Sequence, residues 1–303
     1  MKGLMSVFHK ELADHFTGWR GIILFIMILM VTIFVIMGPS GALLNLRAEV
    51  TSPTQYVFLK LFTTSGEGLP SFMWCIAMFL VPIIGIVLGL DAINSEKNNG
   101  TMSRLLAQPI YRDAVINGKF LAGVVTIAIM LTTTILVVSG IGMTTLGVPP
   151  TSEEITRLLM FWGGSILYGA FWLGLAMLFS VYFRPVAASA VASLTIWIFF
   201  FFYTFTGFGA SQLQNPTAAI AAMRVSPLFL FQEAMSVITI PGARTLSDIL
   251  QLTVQGTKFI PGPLSLGQTV LTVWPHLATI GGLSALFFAI SYVRFMREEI
   301  RST

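Results

Sequence analysis

The residues best suited to chemistry in this chain lie together in one short polar segment between two long apolar runs. Residues 92–119 read AINSEKNNGTMSRLLAQPIYRDAVINGK, in which acids and bases surround a turn at Asn98–Gly100. Thr101 can cap a short helix over Met102–Ala107, which Pro109 ends. Two interpretations are open: the segment docks a soluble partner, or it is a solvated loop whose charges only hold it on one side of a membrane.

No nucleotide or metal chemistry is visible elsewhere in the sequence. The G-x-x-x-x-G-K-[ST] phosphate loop is missing, because Phe120 follows Gly118-Lys119 and Asp113 stands where the first glycine should be. The 15 methionines are scattered, which is typical of apolar packing and not of a copper site. Cys75 is the only cysteine, so one thiol offers neither a disulfide nor a metal framework. We therefore predict that the chain is not an enzyme and holds no metal.

The composition predicts the elements that must position this segment. Only 10% of the 303 residues are charged, against about 25% in soluble domains, and the mean hydropathy is +0.84. Runs of about 18 or more apolar residues can cross a membrane as helices. Six such runs predict an all-α integral membrane protein with six transmembrane helices. The runs are Gly21–Gly38, Phe72–Leu90, Leu121–Leu146, Leu158–Phe183, Val186–Phe208 and Trp274–Phe295.

The distribution of Lys and Arg predicts the orientation in the membrane. With the N-terminus inside, the cytoplasmic segments hold eleven of the 17 basic residues. Both termini are therefore predicted to be cytoplasmic, in a multi-pass protein of the plasma or inner membrane. The net charge of +4 is mostly this topology signal, and we predict no nucleic-acid partner.

Residues 1–20 predict an amphipathic helix that lies on the inner leaflet before the first span. Leu4, Phe8, Leu12, Phe16 and Trp19 recur at helical spacing, with Lys10 and Asp14 on the other side. The alternative is a charged leader that only sets the topology. The residues predicted to form this elbow helix are Phe8, Lys10, Glu11, Leu12 and Phe16.

The remaining chain divides into three parts. Residues 21–208 hold the first five spans, with the polar segment 92–119 between the second and the third. Residues 209–273 are unusually apolar for a loop, which favours short re-entrant or membrane-resting helices over a solvent-facing cap. Residues 274–303 hold the sixth span and a cytoplasmic tail.

The cores of the six apolar runs contain no Asp, Glu, Lys, Arg or His, and His276 and Asp91 lie near span ends. Gradient-driven transporters usually place ionisable groups at membrane depth. If this chain moves something, the energy is therefore expected to come from outside its membrane domain. A gradient-driven transporter or channel, and a scaffold that recruits a cytoplasmic partner, are the alternatives.

The polar segment resembles that of the ABC-2 type transporter permeases. The matching residues are Gly89–Ile93, Glu96, Gly100-Thr101, Leu105-Leu106, Pro109, Arg112 and Gly118-Lys119. Three further stretches are similar to that family: Phe8–Leu12, Ser226-Pro227 with Phe231–Ala234, and the closing Arg294, Arg297 and Arg301. The resemblance implies an exporter built from two copies of a six-span permease.

The same resemblance implies a separate ATP-hydrolysing subunit that holds Mg-ATP, so this chain itself needs no cofactor. Residues Asn94–Gln108 would be the coupling helix on which that ATPase docks, and the elbow helix would lie beside it. The predicted docking residues are Glu96, Lys97, Asn98, Gly100, Thr101, Arg104, Leu105 and Arg112.

The fifth span is the predicted dimer or pathway surface. Ala188 and Ala192 are four residues apart, as are Ser189 and Ser193, and such small pairs permit close approach of helices. Aromatic residues follow over 197–203. The alternative is an interfacial aromatic belt or packing within the chain. The candidate residues are Ala188, Ala192, Ser193, Trp197, Phe201 and Tyr203.

Overall fold

A computed structural model describes residues 2–38, 56–64, 71–100, 111–210, 221–240, 242–245 and 262–297. Across these ranges the chain is helical and contains no strand. Six of its helical segments are long and apolar enough to cross a membrane. The predicted all-α architecture with six spans is therefore confirmed.

The helices follow the apolar runs in order along the chain. They are α1 (Lys2–Thr17), α2 (Trp19–Met37), α3 (Val57–Thr63), α4 (Phe72–Cys75), α5 (Val81–Gly89), α6 (Asn94–Asn98), α7 (Arg112–Leu146), α8 (Ser152–Tyr182), α9 (Val186–Ala210), α10 (Pro227–Thr239) and α11 (Leu266–Arg297). A π-helical turn, Ile76–Leu80, joins α4 to α5. The second span, Phe72–Asn98, runs through α4, this turn, α5 and α6, and the other spans lie in α2, α7, α8, α9 and α11.

α8 extends beyond its apolar run because a polar cap sets its first turn. The fourth span was predicted from Leu158, but α8 begins at Ser152. Thr151 and Glu154 form a capping box there. The Glu154 amide donates to Thr151 Oγ1 at 3.3 Å, and the Thr151 amide donates to Glu154 Oε2 at 2.8 Å. Hydropathy alone does not detect such a polar first turn.

The fourth span, α8, forms the centre of the bundle: 78% of its apolar window is buried, against 11% for α9. The second span approaches α8 closely at Gly85 and Gly89, which lie about one helical turn apart. A Cβ on Gly85 would lie 2.7 Å from Trp172 Cβ, and one on Gly89 would lie 2.8 Å from Ala176 Cβ. Only glycine permits this separation of the two backbones.

The apolar segment 209–273 contains a helix that lies inside the bundle. Every residue of α10 is buried, and this helix packs against α8, α9 and α11. Ser226 caps it by accepting a hydrogen bond from the Phe229 amide at 3.4 Å. Tyr168 of α8 stacks on Phe231, with ring centroids 4.2 Å apart. α10 is therefore enclosed by spans, while its depth in a bilayer stays a prediction.

The N-terminal helix packs against α7 through a face that differs from the predicted apolar stripe. Val7 is 2% exposed, and a Cβ on Gly118 would lie 2.9 Å from Val7 Cγ1. Phe16, by contrast, is 37% exposed, and Trp19 is 79% exposed and belongs to α2. The close approach at Gly118 selects the small Val7 for the buried face and leaves the larger apolar side chains outside it.

Candidate functional site

A buried lysine joins three elements at the end of the bundle that carries α1. The Lys119 side chain is 4% exposed, and its Nζ lies 2.9 Å from Glu11 Oε1 and 3.0 Å from Glu96 Oε1. Lys10 Nζ lies 3.0 Å and 3.5 Å from the same two oxygen atoms. The Lys119 cluster, defined as Lys10, Glu11, Glu96 and Lys119, therefore ties α1 and α6 to α7.

The Lys119 cluster contains two bases and two acids. Burial by itself raises the pKa of Glu11, but Lys119 and Lys10 together hold it below its usual value. Burial by itself lowers the pKa of Lys10, and Glu11 and Glu96 outweigh that effect, so this pKa is raised. Both shifts favour the charged forms, and the cluster is an ionic link.

The residues after the second span are also bound to the end of α8. Ser180 Oγ accepts hydrogen bonds from the amides of Ile93 and Asn94 at 2.9 Å and 3.2 Å. The side chains of Lys97 and Asn98 donate to carbonyl oxygens at or just beyond the end of α8, at 3.3 Å and 2.9 Å. The start of the polar segment is thus fixed to the fourth span.

The first span is joined to the second at the same end. Arg20 of α2 forms an ion pair with Asp91, which follows α5. Beside this pair lies a cleft of about 400 Å³, whose lining includes Leu24, Val87 and Leu88. Asp91, which the sequence placed near a span end, therefore links two spans.

Glu96 points into the bundle, whereas the sequence predicted that it would remain available to a partner. Its side chain is 12% exposed, and its Oε1 lies between Lys119 and Lys10. A buried ammonium such as Lys119 requires a carboxylate within the protein, which accounts for this orientation, and contact of Glu96 with a partner stays a prediction. Lys97 and Asn98, two further predicted docking residues, likewise form hydrogen bonds to the chain itself.

The turn after α6 has the conformation that its Asn-Asn-Gly sequence predicts. Gly100 has a φ of +66°, in the left-handed region that favours glycine. Arg112 opens α7 on the far side of the polar segment. The other predicted docking residues lie outside the described ranges: Thr101, Arg104 and Leu105.

The predicted elbow residues are divided between the cluster and an apolar edge of α1. Lys10 and Glu11 belong to the Lys119 cluster. Phe8 and Leu12 are half-buried, and Phe16 is exposed. α1 therefore keeps an apolar edge outside its contact with α7.

On the fifth span, three of the candidate surface residues face their own chain. Ser193 is buried and donates to the Ser189 carbonyl at 2.9 Å. Trp197 Nε1 donates to the Met78 carbonyl at 2.9 Å, and Phe201 packs on Phe79 with ring centroids 5.4 Å apart. Packing within the chain, which was the alternative interpretation, describes their geometry.

The other candidates on this span are less enclosed. Ala188 and Ala192 are half-buried. Tyr203 Oη donates to the Ala222 carbonyl at 2.8 Å. The outward side of α9 is instead formed by large apolar residues, namely Val191, Leu194, Ile198, Phe199, Phe202 and Phe205.

A second buried ionic group lies toward the end of the bundle where α8 begins. Glu233 is 1% exposed and accepts two hydrogen bonds from Arg224, both at 2.9 Å. His276 Nε2 lies 3.0 Å from Glu233 Oε2. Burial by itself raises the pKa of Glu233, but His276 and Arg224 lower it to about 2. Sequence reasoning missed this group; its signal was an acid within the apolar helix PLFLFQEAMSVIT.

Arg157 was also missed, because it precedes the fourth apolar run. It is fully buried, and its Nη2 donates to Glu153 Oε1 at 2.9 Å and to the Leu264 carbonyl at 2.7 Å. Its Nη1 donates to the Ile238 carbonyl at 3.2 Å and to Thr269 Oγ1 at 3.3 Å. Arg157 therefore joins the end of α10 and the start of α11 to α8.

The long helices thus include ionisable groups that lie outside the cores of the apolar runs. Lys119, Arg157 and His276 each lie within one of the six long helical segments that could cross a membrane, and each is paired with a carboxylate. Among the described residues, no group of three His, Cys, Asp or Glu side chains could hold a metal ion. These groups connect helices of the bundle to one another.

Six spans, an N-terminal helix packed beside them and a polar segment after the second span are the features of a membrane permease. The chain belongs to the ABC-2 family of transporter proteins, whose family model matches residues 5–300. The family resemblance of the polar segment is therefore confirmed, and the chain is a multi-pass membrane protein.

Two curated relatives are each described as "Probable ABC transporter permease protein NosY". That of Pseudomonas aeruginosa is 32% identical over 142 residues, which cover 45% of this chain and 50% of the relative. That of Stutzerimonas stutzeri is 28% identical over 128 residues, which cover 40% of this chain and 44% of the relative. The chain thus spans about half the length of the curated relatives it matches.

Proposed function

We propose that the chain is the permease subunit of an ATP-driven exporter, and that a separate ATPase subunit with bound Mg-ATP acts on residues 92–119. The Lys119 cluster carries this proposal. It gathers α1, α6 and α7 around one buried ammonium, so a force on the chain between α6 and α7 reaches all three helices. The ABC permease relatives support an ATP-hydrolysing partner of this kind.

The contacts define the route of that force. Residues 101–110 connect α6 to α7, so any displacement enters both helices through the backbone. Glu96 passes it to Lys119, and the hydrogen bonds of Ser180 pass it to α8. Glu11 carries it to α1. A soluble motor could in this way move three spans without entering the membrane.

The proposed topology places both termini and residues 92–119 in the cytoplasm. Eleven of the 17 Lys and Arg residues then lie inside. The apolar edge of α1, with Phe8, Leu12 and Phe16 at least partly exposed, would rest against the lipid of the inner leaflet. Both features support a cell-membrane location with this orientation.

We propose further that two copies of the chain associate along α9. Only 11% of its apolar window is buried, which leaves its outward side open to lipid or to a second copy. That side is lined by large, mostly aromatic or branched residues. Two such faces can pack together where small residues such as Ala188 and Ala192 lie at the edge of the contact.

Export requires that substrate binding to the permease is coupled to ATP hydrolysis by the partner subunit. A ligand shifts a conformational equilibrium only through different affinities for the two states. Substrate binding between the two copies should therefore change the rate of ATP hydrolysis by the partner subunit, although the two sites lie on different chains.

Photo-crosslinking from the polar segment tests the docking site. A photoreactive amino acid at Leu105, in a tagged chain in its native membrane, should capture a protein that contains a phosphate-binding loop. The matched control is Leu159 of α8, which is 60% exposed near the other end of the bundle and should capture no ATPase. Mass spectrometry identifies each product.

A charge reversal provides a second measurement. Arg104→Glu should lower the amount of co-purified ATPase while the yield of folded chain stays the same. Equal co-purification, or capture of the ATPase from Leu159, would overturn the proposed docking site. Flux that an ion gradient drives in vesicles without ATP would identify a gradient-driven transporter, and partner binding without ATP-dependent movement would identify a scaffold.

A further inference from the structure

The second span is interrupted by a π-helical turn directly before its proline. The Val81 amide bonds to the Ile76 carbonyl, five residues back, where an α-helix would use the residue four back. Pro82 follows and has no amide hydrogen to donate. In the π register an amide at residue 82 would donate to the Ala77 carbonyl, and in the α register it would donate to the Met78 carbonyl. Because residue 82 is a proline, neither carbonyl can receive this hydrogen bond.

Side chains from two other spans supply hydrogen bonds to both of these carbonyls. Tyr168 Oη of α8 donates to the Ala77 carbonyl at 3.1 Å, and Trp197 Nε1 of α9 donates to the Met78 carbonyl at 2.9 Å. Ala77 and Met78 are fully buried, where a carbonyl without a donor is costly. Proline is tolerated in spanning helices when neighbouring groups satisfy the backbone in this way.

The Trp197 ring is positioned for this role by aromatic contacts. It lies 5.9 Å from Phe79 of the π turn and 5.9 Å from Phe201 of its own helix, measured between ring centroids. Phe201 in turn packs on Phe79 and on Trp74 of α4. The π turn and α9 therefore contact each other through a continuous aromatic cluster that orients the indole nitrogen toward Met78.

We propose that the π turn Ile76–Leu80 is a hinge of the second span, and that Trp197 and Tyr168 are the positioning residues that set its bend. Together they supply donors to two carbonyls, of which an amide at residue 82 could serve one or the other and Pro82 serves neither. A displacement of α9 that breaks the Trp197–Met78 bond changes the bend of the span. The link from this bend to residues 92–119 rests on the proposed function, whereas the hinge itself does not.

Hydrogen–deuterium exchange of the purified chain in nanodiscs tests the hinge. Trp197→Phe keeps an aromatic ring and removes the donor, so amide exchange in residues 76–90 should rise about threefold to tenfold, the size expected for one buried hydrogen bond. Pro82→Ala restores an amide hydrogen at residue 82. In that background the effect of Trp197→Phe should fall below about twofold, because the two donors replace each other.

Matched variants separate this effect from a general loss of packing. Trp162 Nε1 donates to Thr132 Oγ1 at 2.9 Å, so Trp162→Phe removes the same group elsewhere, and its effect should not depend on Pro82→Ala. Tyr168→Phe is the second test variant and should also raise the exchange of residues 76–90, but the single amide hydrogen that Pro82→Ala restores cannot offset both variants when they are combined. Unchanged exchange in both test variants, or equal effects with and without Pro82→Ala, would overturn the hinge.

The rate of ATP hydrolysis by the partner subunit is a separate test of the link between the hinge and residues 92–119. In the complex with the partner, Trp197→Phe should alter substrate-stimulated hydrolysis, and Pro82→Ala should restore it. Altered exchange with unaltered hydrolysis would overturn that link while the hinge stands. If no ATPase co-purifies with the wild-type chain, the proposed function fails, and the exchange measurement still decides the hinge.

Discussion

Replacing Lys119 by Met should release the N-terminal helix from the bundle. Met has a similar length and lacks the ammonium, so the substitution removes the charge and leaves most of the volume. Glu11 and Glu96 lie 2.9 Å and 3.0 Å from Lys119 Nζ, and both would then face each other across a buried, uncharged side chain. Their mutual repulsion favours separation of α1 from α6, and the loss of the Glu11–Lys119 pair removes an attraction between α1 and α7.

The structure gives the expected size of this effect. Removing one partner of a buried ion pair costs on the order of 3–5 kcal/mol, because the other charge remains buried. Lys10 stays within 3.5 Å of both carboxylates and compensates part of the loss, so we expect about 3 kcal/mol, at the lower end of that range. This corresponds to a roughly hundredfold increase in the population whose α1 has left α7.

The reactivity of a thiol at position 7 measures that population. Val7 is 2% exposed in the contact with Gly118, so a Val7→Cys thiol is protected while α1 is bound. The natural Cys75 is replaced by Ala to remove the background. In this chain, the rate of maleimide labelling should rise about a hundredfold with Lys119→Met, in proportion to the detached population.

Lys10→Met is the matched control, since Lys10 contacts the same carboxylates from the surface. Its side chain is 51% exposed, and exposed ion pairs contribute about 0–1 kcal/mol. The labelling rate should therefore rise by less than about fivefold. If Lys10→Met and Lys119→Met act equally, or if neither changes the rate, the buried lysine is not the link between these helices.

Three other perturbations are expected to act on the fold, each measured by unfolding in mixed SDS micelles. The pKa of Glu233 is about 2 in the fold, below the unfolded value of about 4.3. The contribution of the ionised Glu233 to the free energy of unfolding is therefore fully present above the unfolded pKa and is lost as the pH falls from about 5 toward 2. Glu233→Gln should flatten this pH dependence. Gly85→Ala should destabilise by about 1–3 kcal/mol, because its Cβ would lie 2.7 Å from Trp172 Cβ, whereas Gly163→Ala, with open space at its Cβ position, should not. Arg157→Met should cost about 3–5 kcal/mol, because it leaves Glu153 and three buried acceptors without their donor. A pH profile that Glu233→Gln leaves unchanged, equal loss in both glycine variants, or a neutral Arg157→Met would each contradict its own argument.

The spans could be predicted from the sequence because hydrophobicity acts locally along the chain. A run such as Leu158–Phe183 is apolar whatever it packs against, and six runs gave six spans. Their polar ends could not be predicted in the same way. The capping box of Thr151 and Glu154 extends α8 by about two turns. From the sequence alone, a short polar stretch before an apolar run is equally compatible with a loop.

The contacts of Lys119 and of Glu233 with His276 were not predicted because the partners are distant in sequence. Lys119 was considered as a phosphate-loop lysine and as part of the family motif, and nothing near it in the sequence shows that Glu11 and Glu96 are its neighbours. Glu233 and His276 are likewise brought together by the packing of α10 against α11. Trp197 was a candidate for a dimer or pathway surface, with an interfacial belt or packing within the chain as the alternative, since hydropathy does not reveal which side of an apolar helix faces the protein.

The contacts also determine where the second span can bend. On the C-terminal side of the π turn, α5 packs closely against α8 at Gly85 and Gly89. Ser180, at the end of α8, accepts hydrogen bonds from the residues that follow α5. Under the proposed function, these parts would therefore move as one body with residues 92–119. On the N-terminal side of the π turn, α4 contacts α9 through the aromatic cluster, and α9 is the least buried of the six spans. Relative motion between the two parts then concentrates at Ile76–Leu80, where the α-helical bonding is already interrupted and the replacing donors come from α8 on one side and α9 on the other.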